Sequence, residues 1–410
     1  MSTPFALCKI AVLFHLLREH FKQFRPAMKL NHGLHLAYCT NIHRGETWPE
    51  TFDSLQKHTI AVREKVCPRA PFAIGLRLSN QAAVELSERK TLLEFQKWLD
   101  KNSCYIFTIN GFPFGQFHGT RVKEKVYLPD WTSPERLAYT NLLFDLLAQL
   151  LPAGIEGSVS TLPCSFKEFI KSDEQKKLIR KNLWRCVEHI SHVSKKSKRQ
   201  LHLGLEPEPL CLLENSAETV SFFEQLRAEY KNDSRLGEFL GVNYDCCHFA
   251  VEFEDPKNAL AAFQNAGIKI SKIHLSSALK TNAIGKARAA LKKFADDVYL
   301  HQVIARDESG KLKFFRDLPN ALNFQPSGEW RIHFHVPLHA TAAPPFENTN
   351  DHLLGVLDWL AENSKMCSHL EMETYTWEVL PPELKTRSVV AQLAAEYDWT
   401  LAQLKERGLC

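Results

Sequence analysis

From residue 34 to the end of the chain, short β-prone apolar runs alternate with longer helical stretches, eight times over. This alternation restricts the fold more than any other feature. The β-prone runs are LHLAYCTNIH (34–43), FAIGLRLS (72–79), CYIFTING (104–111), GIEGSVSTLP (154–163), LHLGLEPEP (201–209), FLGVNYDCCHFAVEF (239–253), IKISKIHLSSAL (268–279) and SHLEMETYTWEVL (368–380). Helical patterns separate them, the first opening on Thr47 as N-cap with Pro49 in its first turn. Strands that alternate with helices pair in parallel through right-handed crossovers. Eight such units close into a (β/α)8 barrel. A doubly wound open sheet is the alternative, but CTNIHRGETW, after the first strand, has one glycine and no phosphate loop.

One interval breaks the rhythm. Nearly 90 residues separate KIHLSSAL from HLEMETYTW, and they hold two further β-like pieces, 298–305 and 329–338. The reading is an inserted β-rich segment at about 280–345, with two or three extra strands near the barrel mouth. The other possibility is that one of these pieces is itself a barrel strand. Loops of this length are usually functional.

Composition narrows the class. The chain has 410 residues, 44% hydrophobic and 24% charged, enough for a large packed core. A net charge of +4 argues against a dedicated nucleic-acid binder. Eleven cysteines without CxxC spacing read as reduced thiols, hence a cytoplasmic protein. No apolar run reaches the roughly 18–20 residues of a membrane span. Residues 1–30 form an N-terminal extension, read as an amphipathic helix at about 4–24 that packs outside the domain or touches a membrane surface; the barrel then occupies 31–410. Met28 is an alternative start.

In a barrel, side chains at the C-terminal ends of the strands converge on one mouth. Strand five ends on Glu206 and Glu208, each followed by proline, and alternation puts both on one side. Strand six ends on Asp245, with His248 three residues on. Strand seven carries His274, and strand eight carries Glu371 and Glu373. Acids are almost never buried without a partner. Three carboxylates and an imidazole from four successive strands make a nitrogen/oxygen site that accepts Mn²⁺, Co²⁺, Zn²⁺ or Mg²⁺. Glu208 is an alternative to Glu206. Cys246 and Cys247, flanking this motif, read as small core residues.

The order LEPEP, DCCH, KIHLS, MET resembles the xylose isomerase-like barrel superfamily of sugar isomerases and epimerases. That resemblance implies Glu206, Asp245, His274 and Glu373 as metal ligands, Glu206 and Glu373 as the acid/base pair, and His248 as the histidine that touches substrate. The phrases AYCTNIHRGETW, GLRLS, FTINGFPFGQFHGTRVKEKVY, EPEP, HFHVPL and ETYTW resemble, over about 34–398, the EboE family of metabolite-traffic barrels encoded in the Ebo cluster. This sequence departs from the superfamily in the long interval between His274 and Glu373, so His301, His333 and His335 are rival strand-seven ligands. The loop NGFPFGQFHGTRVKEKVY brings Asn110, His118, Arg121 and two lysines toward the mouth. With Glu208, His301 and His335 they are the expected substrate-binding residues; its aromatics suit a sugar face and its cations a phosphate or carboxylate.

Three functions remain open. The first is a metal-dependent isomerase or epimerase of a small sugar-like or hydroxy-carbonyl metabolite. The second is an EboE-like metabolite-binding protein without isomerase activity, working with membrane-associated partners from the same gene cluster. The third is an endonuclease IV-like phosphodiesterase, whose chemistry needs two or three metals.

Overall fold

The structure, a computed structural model, describes residues 28–282, 284–340, 344–381, 385 and 387–410. The expected helix at 4–24 lies outside them.

Eight strands form one all-parallel sheet: β1 (His35–Tyr38), β2 (Phe72–Arg77), β3 (Cys104–Asn110), β4 (Gly157–Thr161), β5 (Leu201–Leu205), β6 (Leu240–Asp245), β7 (Lys269–Leu275) and, after the insertion, β13 (His369–Met372). Their order is β1-β13-β7-β6-β5-β4-β3-β2, and a parallel bridge from Cys39 to Gly75 brings β1 back against β2. The barrel is therefore (β/α)8, and the open-sheet alternative is excluded. β2, β4, β5, β6 and β13 are buried at every position, because helices cover the outer face and side chains fill the interior.

Capping fixes where several covering helices begin. Thr47 and Glu50 form a capping box at the helix Trp48–Ser54, with proline in its first turn. Ser172 and Gln175 do the same for Asp173–Ser197. The basic stretch of that helix lies on its outer side, and its buried residues include Ile179, Leu183, Val187 and Ile190. A second helix precedes the one expected after β2: Asn80–Ser87 runs into Arg89–Lys101.

Several boundaries differ from the sequence reading. The run at 239–253 is strand only to Asp245; that residue then caps a short helix, Cys246–Val251, by accepting from the His248 N–H at 3.0 Å. The run at 268–279 divides into β7 and β8 (Ala278–Thr281). Strand character at 298–305 is confined to β9 (Val303–Arg306), and the run at 368–380 passes from β13 into a 3-10 turn, Tyr375–Val379.

The insertion is a larger body than expected. β8, β9, β10 (Leu312–Phe315), β11 (Glu329–His335) and β12 (Glu347–Asn348) form a five-stranded antiparallel sheet, ordered β10-β9-β11-β8-β12. It has its own apolar core, including Leu291, Phe294, Val303, Leu318, Trp330, Ile332 and Phe334. The strand that donates HFH belongs to this sheet, so β7 is the seventh barrel strand. Across the mouth, the β3 loop meets the insertion: the Val122 and Lys123 N–H groups donate to the Val298 carbonyl, and Lys123 Nζ reaches Asp317 at 2.8 Å.

Candidate metal centre

At the carboxyl ends of β5, β6, β7 and β13, the structure brings Glu206, Asp245, His274 and Glu373 together. All four are buried, and one donor atom from each lies within 4.8 Å of the others. His274 Nδ1 is 3.1 Å from Glu206 Oε1, 3.1 Å from Glu373 Oε2 and 3.4 Å from Asp245 Oδ2. These separations suit the edges of a coordination shell whose bonds are about 2.1 Å long. Glu206 Oε2 and Asp245 Oδ2 are buried and have no hydrogen-bond partner. Buried carboxylate oxygens left bare are costly unless a cation meets them. The donor set therefore fits a divalent ion held by Glu206, Asp245, His274 and Glu373.

The surroundings orient these groups. Asn41 and Asn110 each donate to Glu373 Oε1, at 2.7 and 3.2 Å. Ser276 Oγ donates to Asp245 Oδ1 at 2.7 Å, the oxygen that also caps the His248 helix. His274 Nε2 donates to Glu371 Oε2 at 2.9 Å, and Glu371 is paired with the buried Lys272. Carboxylate, imidazole and metal position in line form an arrangement that fixes ring orientation and tautomer. Burial opposes the imidazolium, but Glu373 and the other carboxylates hold His274 well above the usual histidine range. Burial likewise raises Asp245, yet His248, His335 and His274 hold it well below the carboxylate range.

The centre opens on a cavity of about 60 Å³. Glu206, Glu208, His248 and Glu373 line it from the barrel, Asn110, Phe112, Phe117 and Tyr127 from the β3 loop, and Tyr299 and His333 from the insertion. Most of this wall is aromatic or uncharged.

Other expected residues fall at varied places. Asn110 and Glu208 line the cavity, and Glu208 accepts from Tyr127 OH at 2.7 Å while burial pushes its carboxyl up to about 8. His118 is buried behind the wall, donating to the Asn41 carbonyl and accepting from Tyr299. Arg121 is exposed and does not line the cavity. Of the two lysines, Lys123 touches the cavity but is committed to Asp317, and Lys125 is exposed. The expectation that loop cations meet a charged substrate group therefore has no geometric support. His301 is tied to Asp296 and the His333 carbonyl, and His335 to the Glu373 carbonyl. Among the rival histidines only His274 joins the three carboxylates.

Sequence reasoning missed Lys272, Asn41, Tyr299, Gln302 and Tyr375. Lys272 left a signal: a lysine inside the apolar run KISKIHL has to be paired if the strand is buried. The others sit on loops or on the insertion, where no periodicity marks them.

No protein-family model and no curated protein matches the sequence. Among solved structures, the chain is similar to the IOLI protein with a bound zinc atom, at 11% identity over 91% of this chain and 98% of that one (TM-score 0.48). It is also similar to D-psicose 3-epimerase from Clostridium cellulolyticum H10, at 9% identity over 92% and 99% (TM-score 0.48). A third likeness is to a xylose isomerase-like TIM barrel protein from Mycobacterium smegmatis in complex with magnesium, at 13% identity over 85% and 87% (TM-score 0.47). The barrel assignment itself rests on the strand order of this chain.

Proposed function

We propose that the protein is a metal-dependent isomerase or epimerase of a small, uncharged hydroxy-carbonyl compound. The observation that carries this reading is the placement of Glu206 and Glu373. Both belong to the four-residue centre and both line the cavity, from β5 and β13, which are separated in the sheet by β6 and β7. An ion held there supplies Lewis-acid polarisation of a carbonyl, which acidifies the adjacent C–H. The chain's own groups do the rest. One of Glu206 and Glu373 removes the proton from that carbon and the other returns one, as a positioned acid/base pair does. Asn41 and Asn110 hold Glu373 in place for this. His248 faces the same cavity and orients a substrate oxygen. The aromatic wall packs against the apolar face of a polyol, and the commitment of Lys123 to Asp317 favours a substrate without phosphate.

The test is proton exchange. The Mn²⁺-loaded protein is incubated in D₂O with a panel of ketoses, inososes and uncharged hydroxy-ketones, and deuterium at the carbon beside the carbonyl is read by NMR. Exchange into at least one class is expected, and it should vanish in Glu206→Gln and Glu373→Gln. No exchange into any class by a metal-loaded protein would refute the reading.

A second reading keeps the cavity and drops the turnover: a cytoplasmic, EboE-like carrier that binds its metabolite and passes it to membrane-associated partners from the same gene cluster. The observation favouring it is the strap across the mouth, from Lys123 to Asp317 and from Val122 to Val298, which suits retention of a ligand. Saturable stabilisation by a panel compound without deuterium exchange is its signature.

A further inference from the structure

A second group of metal-binding side chains stands beside the first, and the isomerase reading does not use it as such. Glu208, His248 and His333 are all buried, and one donor atom from each lies within 4.8 Å of the others. The group unites three separate parts of the chain: the segment after β5, the short helix after β6, and β11 of the insertion.

Hydrogen bonding fixes which ring nitrogens carry the hydrogen. His248 Nδ1 lies 2.9 Å from the Pro207 carbonyl, which can only accept, so Nδ1 carries the hydrogen. His333 Nδ1 lies 2.8 Å from Gln302 Oε1. The amide orientation of Gln302 is settled by its other end, which donates to the Pro209 carbonyl at 3.1 Å and to Tyr127 OH at 2.9 Å. Gln302 Oε1 is therefore an acceptor, and His333 Nδ1 also carries its hydrogen. Both Nε2 atoms are left with lone pairs, and they face each other at 3.1 Å, with the Tyr375 hydroxyl 3.4 Å from His333 Nε2 on one side. Two acceptors at that distance repel unless a proton or a cation lies between them. Two imidazoles on one tetrahedral ion with bonds of about 2.0–2.1 Å place their nitrogens about 3.3 Å apart, close to the separation seen.

The third donor is ready as well. Glu208 Oε1 is engaged by Tyr127 OH, whereas Oε2 meets only the Cys211 thiol, at 4.0 Å. All three side chains line the cavity, so an ion among them keeps coordination positions open to a ligand. Next to them His335 Nε2 is buried without a partner, its ring 5.3 Å from that of His333.

We propose that Glu208, His248 and His333 form a second divalent-cation site, selective for ions of the zinc and cobalt class. Two imidazoles and one carboxylate are a softer donor set than the three carboxylates and one imidazole of the first centre, and imidazole suits Zn²⁺ and Co²⁺ where carboxylates suit Mg²⁺ and Mn²⁺. The two centres would share one cavity, and a ligand seated there could touch both. The inference does not rest on the isomerase reading; with an ion on its Nε2, His248 would meet a substrate oxygen through that ion.

Stoichiometry tests it. The full chain is purified without affinity metal, stripped with chelator, and dialysed against Zn²⁺ or, separately, against Mn²⁺; bound metal is counted by mass spectrometry. Two equivalents of zinc but one of manganese are expected. Glu208→Gln and His333→Ala, made separately on different elements, should each fall to one zinc. Glu206→Gln/Glu373→Gln should keep the zinc that those variants lose. Cobalt gives an independent readout: the visible absorption of an imidazole-ligated ion should disappear in His333→Ala and persist in Glu206→Gln/Glu373→Gln. A single zinc in the wild type, lost only with Glu206 and Glu373, overturns the inference and leaves the first centre standing. A single zinc lost only with Glu208 or His333 does the reverse. Two zincs that survive in either folded variant, Glu208→Gln or His333→Ala, also overturn it, and a misfolded variant leaves the wild-type count and the other variant to decide.

Discussion

His274 Nε2 and Glu371 Oε2 meet at 2.9 Å inside the barrel, while the opposite nitrogen of the same ring faces the three carboxylates of the candidate metal centre. Glu371 thus acts on the centre without joining it. Its replacement by glutamine keeps the shape and removes the charge. The amide oxygen can still accept from Nε2–H, but Lys272, fully buried, loses its counter-charge. Metal affinity should fall by about 10–100-fold, as for other partners of a metal-bound imidazole, and stability by about 3 kcal/mol because a buried ion pair is broken from one side. Chelator competition and denaturant midpoints measure the two effects. Unchanged affinity would show that His274 needs no carboxylate behind it.

Gly75 makes room for that carboxylate. A Cβ at this position would sit 1.9 Å from Glu371 Oε1 and 2.7 Å from the Tyr38 carbonyl. The backbone carbonyl belongs to β1 and cannot yield, so Glu371 must. Gly75→Ala should cost about 2–4 kcal/mol and weaken metal binding in the same direction as Glu371→Gln. The double variant should show less than the sum of the two affinity losses, because both act on one group. Additive losses would mean that Gly75→Ala damages the centre by another route.

The parts of this arrangement that follow a period were legible in the sequence. Strand–helix alternation gave eight barrel units, and the ends of apolar runs gave Glu206, Asp245, His274 and Glu373, because a strand buried on both faces announces where it stops. The interior layer was half legible: alternation places Glu371 with Glu373, yet nothing in it couples Glu371 to Lys272, since that pairing crosses between β7 and β13. The insertion hid most. β8, β9 and β10 are four residues each, too short for alternation to show, and β8 pairs with β11 some 50 residues away. Ser276 and Ser277 separate β7 from β8 without a glycine or proline, so the two strands read as one. The helix Cys246–Val251 is wholly buried and has no exposed polar face, and only the cap at Asp245 marked its start.

The mouth is held by a partly buried pair. Lys123 Nζ reaches Asp317 at 2.8 Å and also donates to the Asp296 carbonyl at 2.8 Å, so one side chain fastens the β3 loop to the insertion. Lys123→Met keeps the length and the apolar stem and removes the charge. Amide hydrogen exchange should then rise together in 111–127 and 296–303, while β5 to β7 stay protected. A rise in only one of the two segments would mean that they are held independently, and the retention reading would lose its structural basis.

Glu396 supplies a prediction in pH. It lies on the C-terminal helix Val389–Glu406, fully buried, accepting from the Leu338 N–H at 3.1 Å and from Thr374 Oγ1 at 2.9 Å. Burial pushes its carboxyl up to about 7, and the two donors only partly offset this. The folded state therefore holds a proton that the unfolded chain releases near pH 4.5. Between those values the native state binds more protons, so stability falls as pH rises from about 4.5 to about 7 and levels off above. The full shift corresponds to at most about 3 kcal/mol. Glutamine fits the same contacts: its Oε1 accepts from Leu338, and its amide donates to Thr374, whose hydroxyl can turn. Glu396→Gln should thus match the wild type near pH 4.5 and exceed it above pH 7 by up to that amount, in urea midpoints taken across the range. Equal slopes for the two proteins would place the ionised Glu396 in an environment that stabilises it, and the helix would then owe nothing to a buried proton.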